Sequence, residues 1–209
     1  MATLRLYTNP MSRGRIARWM MEESGLAYDA VILDFGTTMK GAEYLAINPM
    51  GKVPALVHGD AVVTEAAAIC AYVADLVPEK KLAPPIGTAE RAAYLRWMFY
   101  AAGPVEAVVS AKAMGLLAPI EKSGMVGYGN FDDVMRTLEL AVSRASPWIC
   151  GETFTAADVY FGSQLSWGLQ FGTIDKRPVF EPYVARLRER EAAKRAAAID
   201  DALIPKKAS

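Results

Sequence analysis

Two short stretches hold the residues whose types and spacing suit chemistry. The first, residues 53–70, reads Val-Pro-Ala-Leu-Val-His-Gly-Asp-Ala-Val-Val-Thr-Glu-Ala-Ala-Ala-Ile-Cys and joins a proline in an apolar strand to an acidic helix start. Pro54 has no N–H and is excluded from a central ladder, so it belongs at a strand entrance, as a cis bond in a tight turn. The backbone of Val53 is then left free. Gly59-Asp60 is a two-residue hairpin signal between residues 55–57 and 61–63, and Thr64-Glu65 opens an Ala-rich helical run. A helix start carries unpaired N–H donors that suit a carboxylate, and Glu65 suits an ammonium. Together they fit the zwitterionic head of an amino acid, and so a peptide-like ligand. In the second stretch, near the N-terminus, Ser12 stands where a helix begins. Its ordinary role there is an N-cap, in which the oxygen accepts from backbone N–H groups and the hydroxyl hydrogen stays free.

The elements that position these residues follow from periodicity. Leu4, Leu6 and Thr8 alternate with Arg5 and Tyr7 as a strand does, and residues 12–23 shift to helical spacing through Ile16, Trp19 and Met20, stopping at Gly25. Residues 28–33 form a second strand, so the chain opens with a strand-helix-strand unit and its right-handed crossover. A polar stretch over 34–52 holds a short helix near 41–47. The hairpin and a helix over 65–77 complete a βαβ-ββα unit. Pro78-Glu79-Lys80-Lys81 and Pro84-Pro85 mark a linker, residues 79–87. Everything long beyond it is helical. Runs over 88–102 and 105–117 are interrupted by Gly103-Pro104, where a kink is expected. Residues 124–130, with three glycines, read as a flexible loop before a helix over 132–145. Residues 155–171 carry one charge, Asp158, and form the centre of the second core. Thr155 and Asp158 have the spacing of a capping box, a structural role. Residues 183–202 read as one amphipathic surface helix. The expected division is a thioredoxin-like α/β domain over 1–78, the linker, and an all-α domain over 88–209.

Composition narrows the partners. The 209 residues carry 23 basic and 23 acidic side chains, without the basic footprint of a nucleic-acid binder or of a membrane-surface helix. No run reaches the roughly 18 apolar residues of a membrane span, and the N-terminus reads directly as a strand, so a cytoplasmic protein is expected. Cys70 and Cys150 form no CxxC arrangement, which indicates neither a disulfide framework nor a metal site, and both read as inert core thiols. The single histidine, His58, sits beside the turn and reads as an exposed loop residue, which excludes a Ser-His-Asp hydrolase.

Four motifs in order carry a resemblance across essentially the whole chain. They are Ser12-Arg13 with Trp19 and Glu22-Glu23, then Asn48-Pro49-Met50-Gly51-Lys52-Val53-Pro54-Ala55-Leu56, then Thr64-Glu65-Ala66-Ala67-Ala68-Ile69, and finally Gly151-Glu152-Thr153-Phe154-Thr155-Ala156-Ala157-Asp158. The chain resembles the glutathione S-transferase superfamily, its bacterial-like serine-type branch in particular. The resemblance implies glutathione as co-substrate, a small hydrophobic electrophile as second substrate, and a homodimer. Free thiols titrate near pH 8.5, so such a protein must favour the thiolate, at about 1.36 kcal/mol per pKa unit. A hydroxyl aimed at sulfur beside a helix N-terminus supplies a hydrogen bond and the positive end of the dipole. Ser12 ranks first for that role, Asn9 second and Tyr7 third. Arg13 and Arg15, in the first turn, are either solvated or part of an anion site. The resemblance further assigns the Val53 backbone, beside Pro54, to the cysteinyl backbone of glutathione, and Glu65 to the γ-glutamyl ammonium. The next position, usually serine in the superfamily, is Ala66, which keeps the backbone N–H and loses the hydroxyl. Lys52 or Lys40 would meet the glycyl carboxylate, and Tyr100, Glu106 and Met114 are candidates for the electrophile pocket. Two other functions are compatible with the same pattern: a non-catalytic protein-binding module like the starvation proteins, and a glutathione-dependent isomerase or dehalogenase.

Overall fold

The computed structural model describes residues 3–204. It divides into two compact units. The first runs to Lys80 and takes in the chain again from Glu189, and the second is Lys81–Arg188.

In the first unit, strand β1 (Leu4–Thr8) buries Leu4, Leu6 and Thr8 and exposes Arg5, the alternation of a half-buried strand. Helix α1 (Gly14–Ser24) buries Ile16, Ala17, Met20 and Met21, and Gly25 closes it in the left-handed region with φ 70°. That glycine donates its N–H to the Met21 carbonyl, as a helix C-cap requires. Strand β2 (Tyr28–Ile32) runs parallel to β1. After the short helix α2 (Ala42–Leu45), β3 (Ala55–His58) lies antiparallel to β1 and pairs with β4 (Ala61–Thr64). The sheet order is β2-β1-β3-β4. Helix α3 (Ala66–Asp75) completes the thioredoxin-like βαβ-ββα arrangement. The Val53-Pro54 peptide is cis and Gly59-Asp60 turns the hairpin, as expected.

His58 departs from expectation. It closes β3 rather than lying in an exposed loop, and its Nδ1 is 2.9 Å from the Tyr72 hydroxyl of α3. A ring half-buried against a helix replaces the solvated one because the turn holds only two residues.

The C-terminus departs more. In place of one helix over 183–202 there are α8 (Phe180–Arg188) in the second unit and α9 (Glu191–Ala202) in the first. The compact division therefore differs from the expected 88–209 domain. Helix α9 is fastened to α1 by ion pairs: Arg18 to Asp200 at 2.8 Å, both almost fully buried, and Arg190 to Glu23, Arg195 to Glu22 and Arg15 to Asp201. The buried face of α9, Ala192, Ala196 and Asp200, seats against that partner rather than facing solvent.

The second unit is helical: α4 (Ala89–Tyr100), α5 (Glu106–Ala113), α6 (Phe131–Ser143), α7 (Ala156–Phe171) and α8. The Thr88 hydroxyl caps α4 and the Asn130 side chain caps α6. Between α4 and α5 the expected interruption is a π-helical turn over Ala101–Val105. Pro104 has no N–H to give to the carbonyl four residues back, so the ladder widens there. The expected glycine-rich loop is preceded by a 3-10 turn, Ile120–Met125, which takes its first two residues. Helix α7 is the buried centre. The Asp158 carboxylate accepts from the N–H groups of Ile149 (2.8 Å) and Thr155 (2.9 Å) and from the Tyr183 hydroxyl (2.8 Å), completing the capping box. A Cβ at Gly162 would overlap Leu187, so that glycine admits α8.

Candidate active site

Sheet register sets the site. Tyr7 pairs with Ala55, and Ala55 with Thr64, so one row crosses β1, β3 and β4. Three segments leave the sheet at that row: the bend carrying Ser12 after β1, Val53-Pro54 before β3, and Glu65-Ala66 after β4. Adjacent strands lie about 4.8 Å apart, so the outer two segments are separated by about 10 Å. Three extended residues span about the same length.

The bend is tightly built. The Asn9 amide donates to the Leu33 carbonyl at 2.7 Å while its oxygen accepts from Met11 N–H at 2.8 Å. Asn9 is buried and its side chain is spent on holding the bend. Ser12 precedes the first helical residues by one position more than an N-cap would. Its Oγ accepts from Gly14 N–H at 2.9 Å, as a cap does, and donates to the Asn9 carbonyl at 2.7 Å. The hydroxyl hydrogen expected to be free is therefore engaged, because the bend folds the Asn9 carbonyl back over it. A Cβ at Gly14 would overlap the Thr8 hydroxyl, so glycine is required for α1 to start this close to β1. Tyr7 is half-buried, with its ring 5.4 Å from that of Tyr44. Arg15 is neither simply solvated nor an open anion site. Its guanidinium donates to Asp201 at 2.7 Å.

The middle segment depends on two residues that sequence reasoning missed. The Tyr44 hydroxyl (2.6 Å) and the Asn48 amide (2.8 Å) both donate to the Lys52 carbonyl. Burial raises the Tyr44 pKa, which keeps the hydroxyl protonated as a donor. Asn48 belongs to a motif already singled out, and that membership was the signal available; the structure shows it buried. With Lys52 pinned, the Val53 N–H and carbonyl make no hydrogen bond among the described residues. Lys40 donates to the Met50 carbonyl at 2.9 Å and so braces the same loop, and the Lys52 side chain is exposed.

In the third segment Glu65 is exposed, with φ 66° and ψ 119°. That is the left-handed side of backbone space, costly for a residue with a Cβ and concentrated at functional sites. Ala66, buried, begins α3 and brings its N–H to the row.

The three electrophile-pocket candidates lie in the second unit with different surroundings. Tyr100 donates to the Val134 carbonyl at 3.2 Å, and burial raises its pKa. Glu106 follows the π turn and accepts from the buried Gln164 amide at 2.7 Å, which also lies 3.2 Å from the Tyr160 hydroxyl. Met114 is 65% exposed beyond the end of α5. Both cysteines are free thiols, Cys70 buried in α3 and Cys150 half-buried. Burial lifts the Cys70 thiol far above its ordinary range and pushes Cys150 up to about 12.

A thioredoxin-like unit followed by an all-helical unit defines a structural class, and comparisons with known proteins identify it. Residues 2–75 match the family model described as glutathione S-transferase, N-terminal domain. The chain is 29% identical over 171 residues to the glutathione S-transferase GstA of Escherichia coli O157:H7, covering 78% of this chain and 82% of that one. A glutathione transferase structure from Methylococcus capsulatus superposes with a TM-score of 0.79 at 31% identity, covering 97% of this chain and all of the other. A sphingomonad glutathione S-transferase, solved in complex with glutathione, gives 0.76 at 25% identity, covering 94% of this chain and 98% of the other. The chain belongs to the glutathione S-transferase superfamily and is a glutathione transferase. No described helix is long and apolar enough to cross a membrane.

Proposed function

We propose that this transferase binds glutathione along the Tyr7-Ala55-Thr64 row and activates its thiol for addition to, or displacement on, a small hydrophobic electrophile. The observation that carries the reading is the backbone of Val53, which makes no hydrogen bond among the described residues and lies between the Ser12 bend and the Glu65-Ala66 helix start. Val53 would form the antiparallel pair with the cysteinyl residue, Pro54 fixing the entrance to β3. Glu65 would take the γ-glutamyl ammonium, the Ala66 N–H its carboxylate, and Lys52 the glycyl carboxylate, with Lys40 bracing the loop. Ser12 would then face the sulfur. Asn9, committed to Leu33 and Met11, supports the bend, and Tyr7 packs on Tyr44. Glu106, oriented by Gln164, together with Tyr100 and Met114, is assigned to the electrophile side. Catalysis comes from thiolate formation and proximity.

The reading places the protein in the cytoplasm as a homodimer. An exposed stripe on α4, Ala92, Leu95 and Phe99, has the spacing of a helix-packing face and supports the second point. Sedimentation of the purified chain checks it, a monomer refuting the dimer.

Calorimetric titration of glutathione, paired with product analysis on an aryl halide, tests the function. Heat of binding and a glutathione conjugate are expected. Glutathione returned unchanged beside an altered substrate would replace conjugation by isomerase or dehalogenase chemistry. No heat at millimolar glutathione would overturn the reading.

A further inference from the structure

We infer that Arg15 is a positioning residue for Ser12, braced from the other end of the chain by Asp201. The inference rests on Ser12 being the thiol activator. A cation in the first turn of a helix opposes the dipole, so Arg15 needs another reason to be where it is. The structure supplies one. Its Nη1 donates to the Pro10 carbonyl at 3.3 Å and its Nη2 to Asp201 Oδ1 at 2.7 Å. The Pro10–Met11 peptide is thereby held at both ends, its carbonyl by Arg15 and its N–H by the Asn9 side chain. That peptide plane is the last one before the residue that leads into Ser12, so its tilt sets where the hydroxyl can point.

Asp201 keeps the guanidinium aimed. The Arg15 side chain is 25% exposed and that of Asp201 63%. Unpaired, the half-buried Arg15 side chain would sample more rotamers, at a cost in entropy each time it returned to Pro10. The charged groups facing Arg15 are Asp200 and Asp201 from α9, and Arg18 one turn along α1. Helix α9 does not depend on Asp201 for its seat, because Arg18–Asp200, Arg190–Glu23 and Arg195–Glu22 remain. Removing Asp201 therefore isolates the positioning effect from docking of the helix.

The test is the thiol pKa of enzyme-bound glutathione, read from thiolate ultraviolet absorbance against pH. It is measured in the wild type, Arg15→Gln, Arg15→Lys, Asp201→Asn, Ser12→Ala and the Ser12→Ala/Arg15→Gln double variant, each checked by thermal melting. Arg15→Gln is expected to raise that pKa by a part of the roughly one unit that Ser12→Ala costs, because it misaims the hydroxyl without removing it. Asp201→Asn should raise it by less with an unchanged melting temperature, and Arg15→Lys should recover part of the loss. In the Ser12→Ala background Arg15→Gln should add nothing, since it acts through the hydroxyl. The same shift in both backgrounds would mean that Arg15 acts directly by its charge, and would overturn the inference. So would an unchanged pKa in Arg15→Gln and Asp201→Asn while Ser12→Ala raises it, a result that leaves the Ser12 reading standing. An unchanged pKa in Ser12→Ala would overturn both.

Discussion

The Ser12 hydroxyl donates to the Asn9 carbonyl at 2.7 Å, and the same carbonyl also accepts the Ser12 N–H at 3.2 Å. Turning the hydroxyl hydrogen toward a bound thiolate therefore does not orphan Asn9. It exchanges a neutral hydrogen bond, worth about 0.5–1.5 kcal/mol, for one to an anion worth about 1.5–3. The net gain is on the order of 1 kcal/mol, or roughly one pKa unit.

Ser12→Ala is accordingly expected to raise the pKa of bound glutathione by about one unit and lower kcat/KM about tenfold at pH 6.5. The sign fixes the pH dependence. Below both pKa values the rate follows the thiolate fraction and the loss is full, and above both it disappears. A pH–rate profile in which the deficit stays constant to pH 10 would argue against thiolate stabilisation. On the proposed binding mode, which leaves glutathione held by the Val53 and Glu65 segments, affinity should stay within about threefold.

Much of this arrangement is legible in the sequence. The Gly59-Asp60 turn fixed the hairpin register, Pro54 fixed the entrance to β3, and Thr155 with Asp158 marked the start of α7. Each is a local signal, confined to a few residues. What the sequence hid is contact between distant ones. Arg18 and Asp200 lie 182 positions apart, and nothing in a run of alanines and arginines says that α9 leaves α8 to seat on α1. The Tyr44 and Asn48 donors on Lys52 are nearer, 8 and 4 positions away, but they meet through the bend of an irregular loop that no periodicity describes. The fate of the Ser12 hydrogen was missed for a different reason: an N-cap rule describes what a hydroxyl accepts and is silent about what it gives.

The resemblance to the superfamily implies a serine where this chain has Ala66, and on the proposed binding mode Ala66→Ser should add a donor to the γ-glutamyl carboxylate. A hydrogen bond to a charged group is worth about 1.5–3 kcal/mol, so the dissociation constant of glutathione should fall by about tenfold or more. Calorimetry on the variant decides it. An unchanged affinity would mean that the helix N–H groups already satisfy the carboxylate.

The thiols should be silent. With Cys150 pushed up to about 12, only about one molecule in ten thousand carries its thiolate at pH 8, and Cys70 carries less. Labelling of the native protein with an aromatic disulfide reagent should be negligible at pH 8, while both of its two cysteines should react in guanidinium. The native rate should rise about tenfold per pH unit until the fold itself gives way. Fast stoichiometric labelling at pH 7 would contradict the burial of these groups and reopen a role for Cys150.

Stability should hinge on the pair that joins the two ends of the chain. Arg18 and Asp200 are both almost fully buried, and Arg18 also donates to the Tyr28 hydroxyl at 3.2 Å, which in turn donates to Glu22. Asp200→Ala strands a buried guanidinium and should cost about 3–5 kcal/mol in denaturant unfolding. The double replacement Arg18→Met/Asp200→Leu removes both charges along with their desolvation penalty, and it should recover most of that loss. The exposed pair Arg15–Asp201 provides the contrast: Asp201→Asn should change stability by less than about 1 kcal/mol. If Asp200→Ala proved equally mild, α9 would be held by its alanine face and the remaining arginines rather than by the buried charge. Full recovery in the double variant would show that the pair selects the docking partner of α9 without adding net stability.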